Sequence, residues 1–372
     1  MGATATEIKV GNVSTIGGPV PGLFKGAQLG AQAFASYIDS VGGVCGRKLT
    51  LVVRDDGLDA AKNKEAYASL AGQVFAFLGG FSIVSDGGYD VIAQTKVPDI
   101  AVGVGKKWLT VPTMYSPNPV PPGWNQAGLQ YLKNRFPDAI AHMAYLVGDA
   151  QQAQEAADGQ KAAAKAIGYS FVYEKTVEPT ETNYDQFAVG MRTAGAKGIF
   201  TAIDAASQAN IAKAVKAQNY TLELPVYAAS SYDPAYIALG GSATEGTKLV
   251  IGTALYAGED AATVPEVALL GKWFRAVGGK APDLYASYAW ASGRLLVQVL
   301  ESTGPRATRA GVLGALAQVH SFNANGLLPD EDVGGRKGTP CFIIVNVTGG
   351  KFVRDKDNPS GFRCSDGVYF YA

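Results

Sequence analysis

Short β-rich runs alternate with longer, Ala-rich stretches of helical spacing, and the alternation occurs twice, on either side of a proline-rich break. In the first series the strand-like runs are 8–13, 48–54, 74–78 and 99–104, with helical spacing over 60–71 and 89–95. In the second they are 140–147, 171–177, 199–203, 226–229 and 248–252, with helical spacing over 153–167 and 208–218. Alternation of this kind builds parallel sheets with helices on both faces. The expected fold class is therefore α/β, with two doubly wound, Rossmann-like lobes. The break, "SPNPVPPG" at 116–123, has fixed φ angles and few donors, so it reads as a linker.

From 264 to 318 three helical segments follow with almost no strand; 286–300 is the clearest and closes at Gly304-Pro305. A helical block without a sheet of its own is expected to cover the first lobe. The final hairpin, "CFIIV" to "KFV" across Gly349-Gly350, is expected to return to the second. The chain then crosses between lobes three times, near Pro122, Ala254 and Gly326. That assigns 7–122 and 255–326 to lobe 1, and 123–254 and 327–372 to lobe 2. Three parallel linkers make a hinge that bends but resists twisting.

The 372 residues are 47% apolar and 17% charged, which suits two ordinary cores. Lys+Arg and Asp+Glu are both 32, and zero net charge argues against nucleic acid as the main partner. No apolar run reaches the roughly 18 residues needed to span a membrane. The start, "MGATAT", has no basic or apolar leader and reads as a mature domain freed of its export signal. The other reading is a cytoplasmic protein with its own start. Of the three cysteines, Cys341 and Cys364 could bridge and pin the C-terminal tail, leaving Cys45; three free thiols in a reducing compartment is the alternative.

The first strand opens into "GGPVPGLFKG", four glycines and two prolines in ten residues, before a helical stretch. A dinucleotide fingerprint needs G-x-G-x-x-G at this turn. Here the glycines stand at 17, 18, 22 and 26, interrupted by Pro19 and Pro21, and no G-x-x-x-x-G-K-[ST] occurs anywhere. The loop is read instead as a wide wall at the carboxyl end of the first strand, where open α/β sheets bind ligands. Small, polar turns recur at the other strand ends: "GGFSIVS" at 79–85, "GVG" at 103–105, "DAQQ" at 149–152, "DAAS" at 204–207 and "SSYD" at 230–233. They allow close backbone approach and offer helix N-termini to a carboxylate. Ser82 and Ser85 are equally explained as helix caps.

Enzyme chemistry finds little support. His142 reads as a core residue of a strand, and His320 follows a helix, where a cation suits the dipole. No Cys/His cluster has metal spacing, no nucleophile elbow is present, and Asp55-Asp56 reads as a solvated turn. No catalytic residue, metal or cofactor is expected.

The segments "IKVGNVSTIGGPVPGLFKGAQLGAQAF", "GGVCGRKLTLVVRDDGLDAAKNKEA", "LVGDAQQAQEAADGQKAAAKAIG" and "ASYAWASGRLLVQVLESTG" resemble solute-binding proteins of branched-chain amino acid ABC importers, the leucine/isoleucine/valine-binding type. The resemblance covers about nine-tenths of the chain. It implies a bilobal type I periplasmic-binding fold that traps a small solute between lobes by hinge closure. It also implies a monomer outside the cytoplasm, held to the membrane only through a lipid anchor, with permease subunits as partners. A sensor or an enzyme on the same scaffold is the alternative.

In amino-acid binders of this type a Ser/Ala/Thr set on the first lobe holds the α-carboxylate and α-ammonium. The matching turns here read Phe81-Ser82-Ile83 and Gly103-Val104-Gly105. The family's acidic partner of the ammonium aligns with Ser230, a tyrosine with Asp204 and another with Ala153, so a carboxylate has moved. The candidate ligand residues are Phe24, Phe81, Ser82, Ser85, Gly103, Gly105, Trp108, Gln152, Asp204, Ser230, Tyr232 and Tyr285. Asp204 would pair an ammonium. Phe24, Phe81, Trp108, Tyr232 and Tyr285 would wall an aromatic solute, with core filling as the other explanation for each.

Overall fold

A computed structural model describes residues 2–372. In chain order, the first segment carries β1 (Glu7–Ser14), α1 (Lys25–Ser40), β2 (Lys48–Asp55), α2 (Ala60–Ala71), β3 (Ala76–Leu78), α3 (Asp86–Thr95), β4 (Asp99–Ile100) and β5 (Met114–Tyr115). The second carries β6 (Gly123–Asn125), α4 (Gln126–Arg135), β7 (Met143–Gly148), α5 (Gln151–Ala166), β8 (Phe171–Val177), α6 (Asp185–Thr193), β9 (Gly198–Ala202), α7 (Ala205–Ala217), β10 (Leu224–Tyr227), α8 (Pro234–Gly240) and β11 (Lys248–Ile251). Helices α9 (Pro265–Ala276), α10 (Leu284–Thr303) and α11 (Arg309–Leu316) form the third, and β12 (Ile343–Thr348), β13 (Lys351–Arg354) and β14 (Tyr369–Tyr371) the last. Two compact units result: unit 1 is Met1–Pro121 with Leu255–Gly338, and unit 2 is Pro122–Ala254 with Thr339–Ala372.

Unit 1 is built on a parallel sheet in the order β2-β1-β3-β4-β5. Strand β1 is apolar on both faces (Ile8, Val10 and Val13 are buried), as a strand covered by helices on both sides must be. Leu70, Phe77, Tyr89, Ile92 and Trp108 fill one side of this sheet. On the other, α1 and α10 pack closely because Gly30 has no side chain; a Cβ there would lie 2.5 Å from the Ala286 carbonyl oxygen. The Phe34 and Trp290 rings meet edge to face at 5.2 Å across this contact. Beneath α9 and α10 the buried Glu266 receives Arg294 Nε (2.6 Å) and Nη2 (2.8 Å) and Asn325 Nδ2 (3.0 Å), so its charge is paired where it is desolvated.

Unit 2 holds a seven-stranded sheet in the order β13-β12-β11-β10-β9-β7-β8. It is parallel from β11 to β8, and β12 and β13 join it antiparallel. Its core gathers Tyr145, Tyr169, Phe200, Leu224, Phe342 and Ile344. A separate ribbon pairs β6 with β14, Trp124 opposite Phe370. The Cys341–Cys364 disulfide ties the tail to the start of β12, and Cys45 is free and exposed.

Four sequence expectations need correction. The third crossing lies at Gly338/Thr339 rather than near Gly326. Residues between them stay with unit 1 because Glu331 accepts Asn118 Nδ2 (2.7 Å) and Arg336 donates to the carbonyls of Leu109, Val111 and Pro112. Strand β4 stops at Ile100, not Val104, since the chain turns there to bury Trp108. Helix α3 begins at Asp86, ahead of the expected 89–95. His142 is exposed on a 3₁₀ turn, Ala139–His142, and β7 starts only at Met143, so the histidine is not a core residue.

Candidate functional site

Sheet order reverses between β1 and β3 in unit 1, and between β7 and β9 in unit 2. At such a switch point neighbouring loops leave in opposite directions and open a crevice at the carboxyl ends of the strands. The residues after β1 and β3, and those after β7 and β9, are therefore the ones to inspect first.

In unit 1 the switch point is stitched by polar side chains that break the apolar run of β1. Asn12 Nδ2 donates to the Leu78 carbonyl at 2.9 Å. Ser14 Oγ donates to Asn12 Oδ1 (2.8 Å) and accepts the Phe81 N–H (3.1 Å). The Thr15 hydroxyl donates to Asp56 Oδ1 (2.7 Å) and lies 3.0 Å from the Ser82 hydroxyl. Asp56 is fully buried and also accepts Asn63 Nδ2 (2.8 Å) and the Leu58 N–H (3.0 Å). It is thus the anchor of this network and no solvated turn. Asp55 accepts the N–H groups of Ile16 and Gly57, both at 2.9 Å. Burial would push its carboxyl up, but the backbone N–H groups of Ile16, Gly17 and Gly57 together with Lys62 hold it below the ordinary value.

The glycine loop folds onto that same turn. A Cβ on Gly17 would lie 2.6 Å from Asp55 Oδ2, and Gly18, at φ +88°, approaches the Gly57 carbonyl. The Phe24 N–H then bonds the Thr15 carbonyl at 3.0 Å and closes the loop. Its glycines are spent on contact with the β2 turn, and its product is the placement of Phe24. That ring meets Phe81 at 4.8 Å and Tyr285, from the first turn of α10, at 4.6 Å; Phe81 and Tyr285 are 4.6 Å apart. Three rings from three distant segments thus converge beside the switch point. Phe24 is buried, while Phe81 and Tyr285 are half-buried.

The remaining unit 1 candidates separate. Ser82 is buried and accepts the Val84 N–H at 3.2 Å, and Ser85 Oγ donates to the Tyr89 hydroxyl at 2.9 Å. Gly103 lies under the Trp108 ring, whose Cγ would be 2.3 Å from a Cβ, and Gly105 has φ +76°. Trp108 is 0% exposed inside the core, so it is corrected from cleft wall to core filling.

In unit 2, Asp204 follows β9 and caps α7, accepting the Ser207 N–H at 2.9 Å. It is half-buried. Gln152 stands in the first turn of α5, after β7, and is buried. Ser230 follows β10; its oxygen accepts Gln208 Nε2 (2.9 Å) and donates to the Ile203 carbonyl (3.3 Å). Both capacities are used internally, which makes it a support of the Asp204 loop. Gln208 itself, receiving Thr201 Oγ1 (2.8 Å) and the Ala228 N–H (2.7 Å), was not singled out by sequence. Tyr232 is 0% exposed and packs on Phe352 at 4.8 Å, a core contact like that of Trp108.

A family profile described as periplasmic binding protein matches residues 7–351, across both units. The chain belongs to the periplasmic binding protein family. No curated protein matches this binding protein in sequence. Its fold is shared with solved structures of low identity. A branched chain amino acid ABC transporter protein from Thermus thermophilus with bound valine has a TM-score of 0.84 at 17% identity, covering 98% of each chain. A fatty acid ABC transporter substrate-binding protein from Thermomonospora curvata has a TM-score of 0.83 at 20% identity, covering 98% of this chain and 94% of its own. A leucine binding protein from Thermotoga maritima has a TM-score of 0.75 at 15% identity, covering 94% and 97%.

Proposed function

We propose that this periplasmic binding protein is the extracytoplasmic solute-binding subunit of an ABC importer, which captures a small solute by hinge closure and presents it to permease subunits. The observation that carries the proposal is the family match, which spans both units without interruption. The relatives of the same fold, described as transporter proteins for branched-chain amino acids or fatty acids, support capture rather than catalysis. The disulfide fits an oxidising compartment outside the cytoplasm. The ligand-contacting residues we assign are Phe24, Phe81, Ser82 and Tyr285 on unit 1, and Gln152 and Asp204 on unit 2. Phe81 and Ser82 follow β3, Gln152 follows β7 and Asp204 follows β9, while Phe24 and Tyr285 join through their ring contacts with Phe81.

The test is mass spectrometry of the solute released when natively exported protein is denatured, followed by calorimetry with that solute. Saturable binding without turnover is expected. Chemical conversion of the solute, or no bound solute and no binding across amino acids and small organic acids, would reject the proposal.

A further inference from the structure

Two of the chain's passages from unit 1 into unit 2 open onto segments that the C-terminal tail ties to each other. The passage at Pro121/Pro122 leads into β6, and the one at Gly338/Thr339 leads to Cys341, just ahead of β12. The last residues hold the first segment. Tyr369–Tyr371 pair antiparallel with Gly123–Asn125. The Gln126 N–H bonds the Val368 carbonyl and the Ala372 N–H bonds the Pro122 carbonyl, both at 3.0 Å. Slightly upstream, the tail holds the second segment. Arg363 and Phe342 exchange backbone hydrogen bonds of 2.8 and 2.9 Å, and Cys364 is bonded to Cys341.

The two attachments are mechanically joined. Between them Arg363 grips Asp366 with Nε (2.8 Å) and Nη2 (2.6 Å), a two-point pairing that fixes the turn leading from one to the other. Asn125 links the segments directly. Its Nδ2 donates to the Cys341 carbonyl at 2.9 Å, while its Oδ1 caps α4 through the Ala127 N–H at 3.0 Å. Whatever frees Cys341 from the tail therefore also loosens the partner of Asn125, next to the first passage. The disulfide is the covalent member of this set, and it is open to chemistry from one side: Cys364 is exposed, whereas Cys341 is buried.

We propose that residues 363–372 are a redox-sensitive strap that yokes the first and third passages on the unit 2 side, with Cys341–Cys364 as its fastening. A dithiol opens it. One thiolate of the dithiol attacks Cys364 Sγ, and Cys341 Sγ leaves as a thiolate and takes up a proton. The second thiol then displaces Cys364 and closes the reagent's own disulfide. Two electrons pass to the protein, which ends with two thiols. The tail keeps only its hydrogen bonds and packing, and local opening of both segments becomes easier. The inference concerns unit 2 alone and stands whether or not a solute is captured.

Hydrogen exchange on the oxidised protein and on the same protein reduced by dithiothreitol without denaturant tests it. Alkylation follows the reaction, the count of reactive thiols rising from Cys45 alone to all three cysteines. The Cys341→Ser/Cys364→Ser variant repeats the comparison without reductant, and reduction of the folded protein serves if that variant does not fold. The Phe342 and Arg363 amides are expected to exchange at least fivefold faster once the bond is cut. The Gln126 and Ala372 amides, at the other attachment, should do the same, while β7 and β9 keep their rates. A rise confined to Phe342 and Arg363 would overturn the proposal, the disulfide then being a local staple. So would unchanged rates at all four amides, or an equal rise in β7 and β9, which would mean that unit 2 loosens as a whole.

Discussion

Asp99 is buried on β4 of the unit 1 sheet, and its carboxyl has one side-chain contact, from the Tyr67 hydroxyl to Oδ2 at 3.4 Å; Oδ1 has no partner. Burial pushes its carboxyl up to about 7, the Tyr67 hydrogen bond only partly opposing it. The ordinary value of 3.8 applies to the unfolded chain. Between these values the folded state keeps a proton that the unfolded state has released, so stability falls as pH rises through this window and levels off above it. A shift of this size corresponds to about 4 kcal/mol. Asp99→Asn should remove the gradient, leaving the variant more stable than the parent at pH 8 and similar at pH 4. Denaturant unfolding at both pH values reads this directly, and a parent equally stable at the two would refute it.

Single residues are also where the sequence reading of the site reached its limit. Nothing in the sequence separates the three candidate rings that converge, Phe24, Phe81 and Tyr285, from Trp108 and Tyr232, which lie apart from them in the core. Trp108 and Tyr232 follow strands as Phe81 does, yet their rings turn inward because the local chain bends around them. Asp56 shows the opposite error. A paired acid after a strand looks solvated until Thr15 and Asn63, 41 and 7 residues away, close over it.

At the scale of elements, long strands and helices were legible because their periodicity is local. The two-residue strand β5 and the β6–β14 ribbon were not, and of the expected strand 99–104 only Asp99–Ile100 forms. Gly123-Trp124-Asn125 follows a proline run and becomes a strand only because Tyr369–Tyr371, at the other end of the chain, pairs with it. Two connections at this scale are testable. The Asp283 side chain caps α10 through the Ala286 N–H at 2.7 Å, so Asp283→Ala should cost about 1 kcal/mol in thermal unfolding and Asp283→Asn much less. The Cys341–Cys364 bridge closes a loop with a sequence separation of 23, which in the chain-entropy account is worth about 3 kcal/mol. Replacing both cysteines by serine should lower the unfolding free energy by about that amount; a change below about 1 kcal/mol would show that the tail is held by its other contacts. Among those are the Phe342–Arg363 backbone pair and the pairing of β14 with β6.

The chain as a whole passes between its units three times, at Pro121/Pro122, Ala254/Leu255 and Gly338/Thr339. Segments next to two of these passages are firmly tied inside unit 1, Ser116 and Asn118 to each other and to Glu331, and Arg336 to three carbonyls. Relative motion of the units is therefore expected to concentrate in the few residues at each passage. A solute shifts such an equilibrium only by its differential affinity for the two states. At a hundred times its dissociation constant, a solute bound only by the closed state contributes about 2.7 kcal/mol, enough to reverse a closed state disfavoured by about 2 kcal/mol. Small-angle scattering with the solute identified by mass spectrometry should then show a smaller radius of gyration at saturation. On the proposed assignment of ligand-contacting residues, Phe81→Ala and Asp204→Ala should each require more solute for the same compaction. Compaction without solute would mean that closure needs no ligand. An unchanged radius at saturation confirmed by calorimetry would mean that binding does not close the protein, and the hinge mechanism would fall with it.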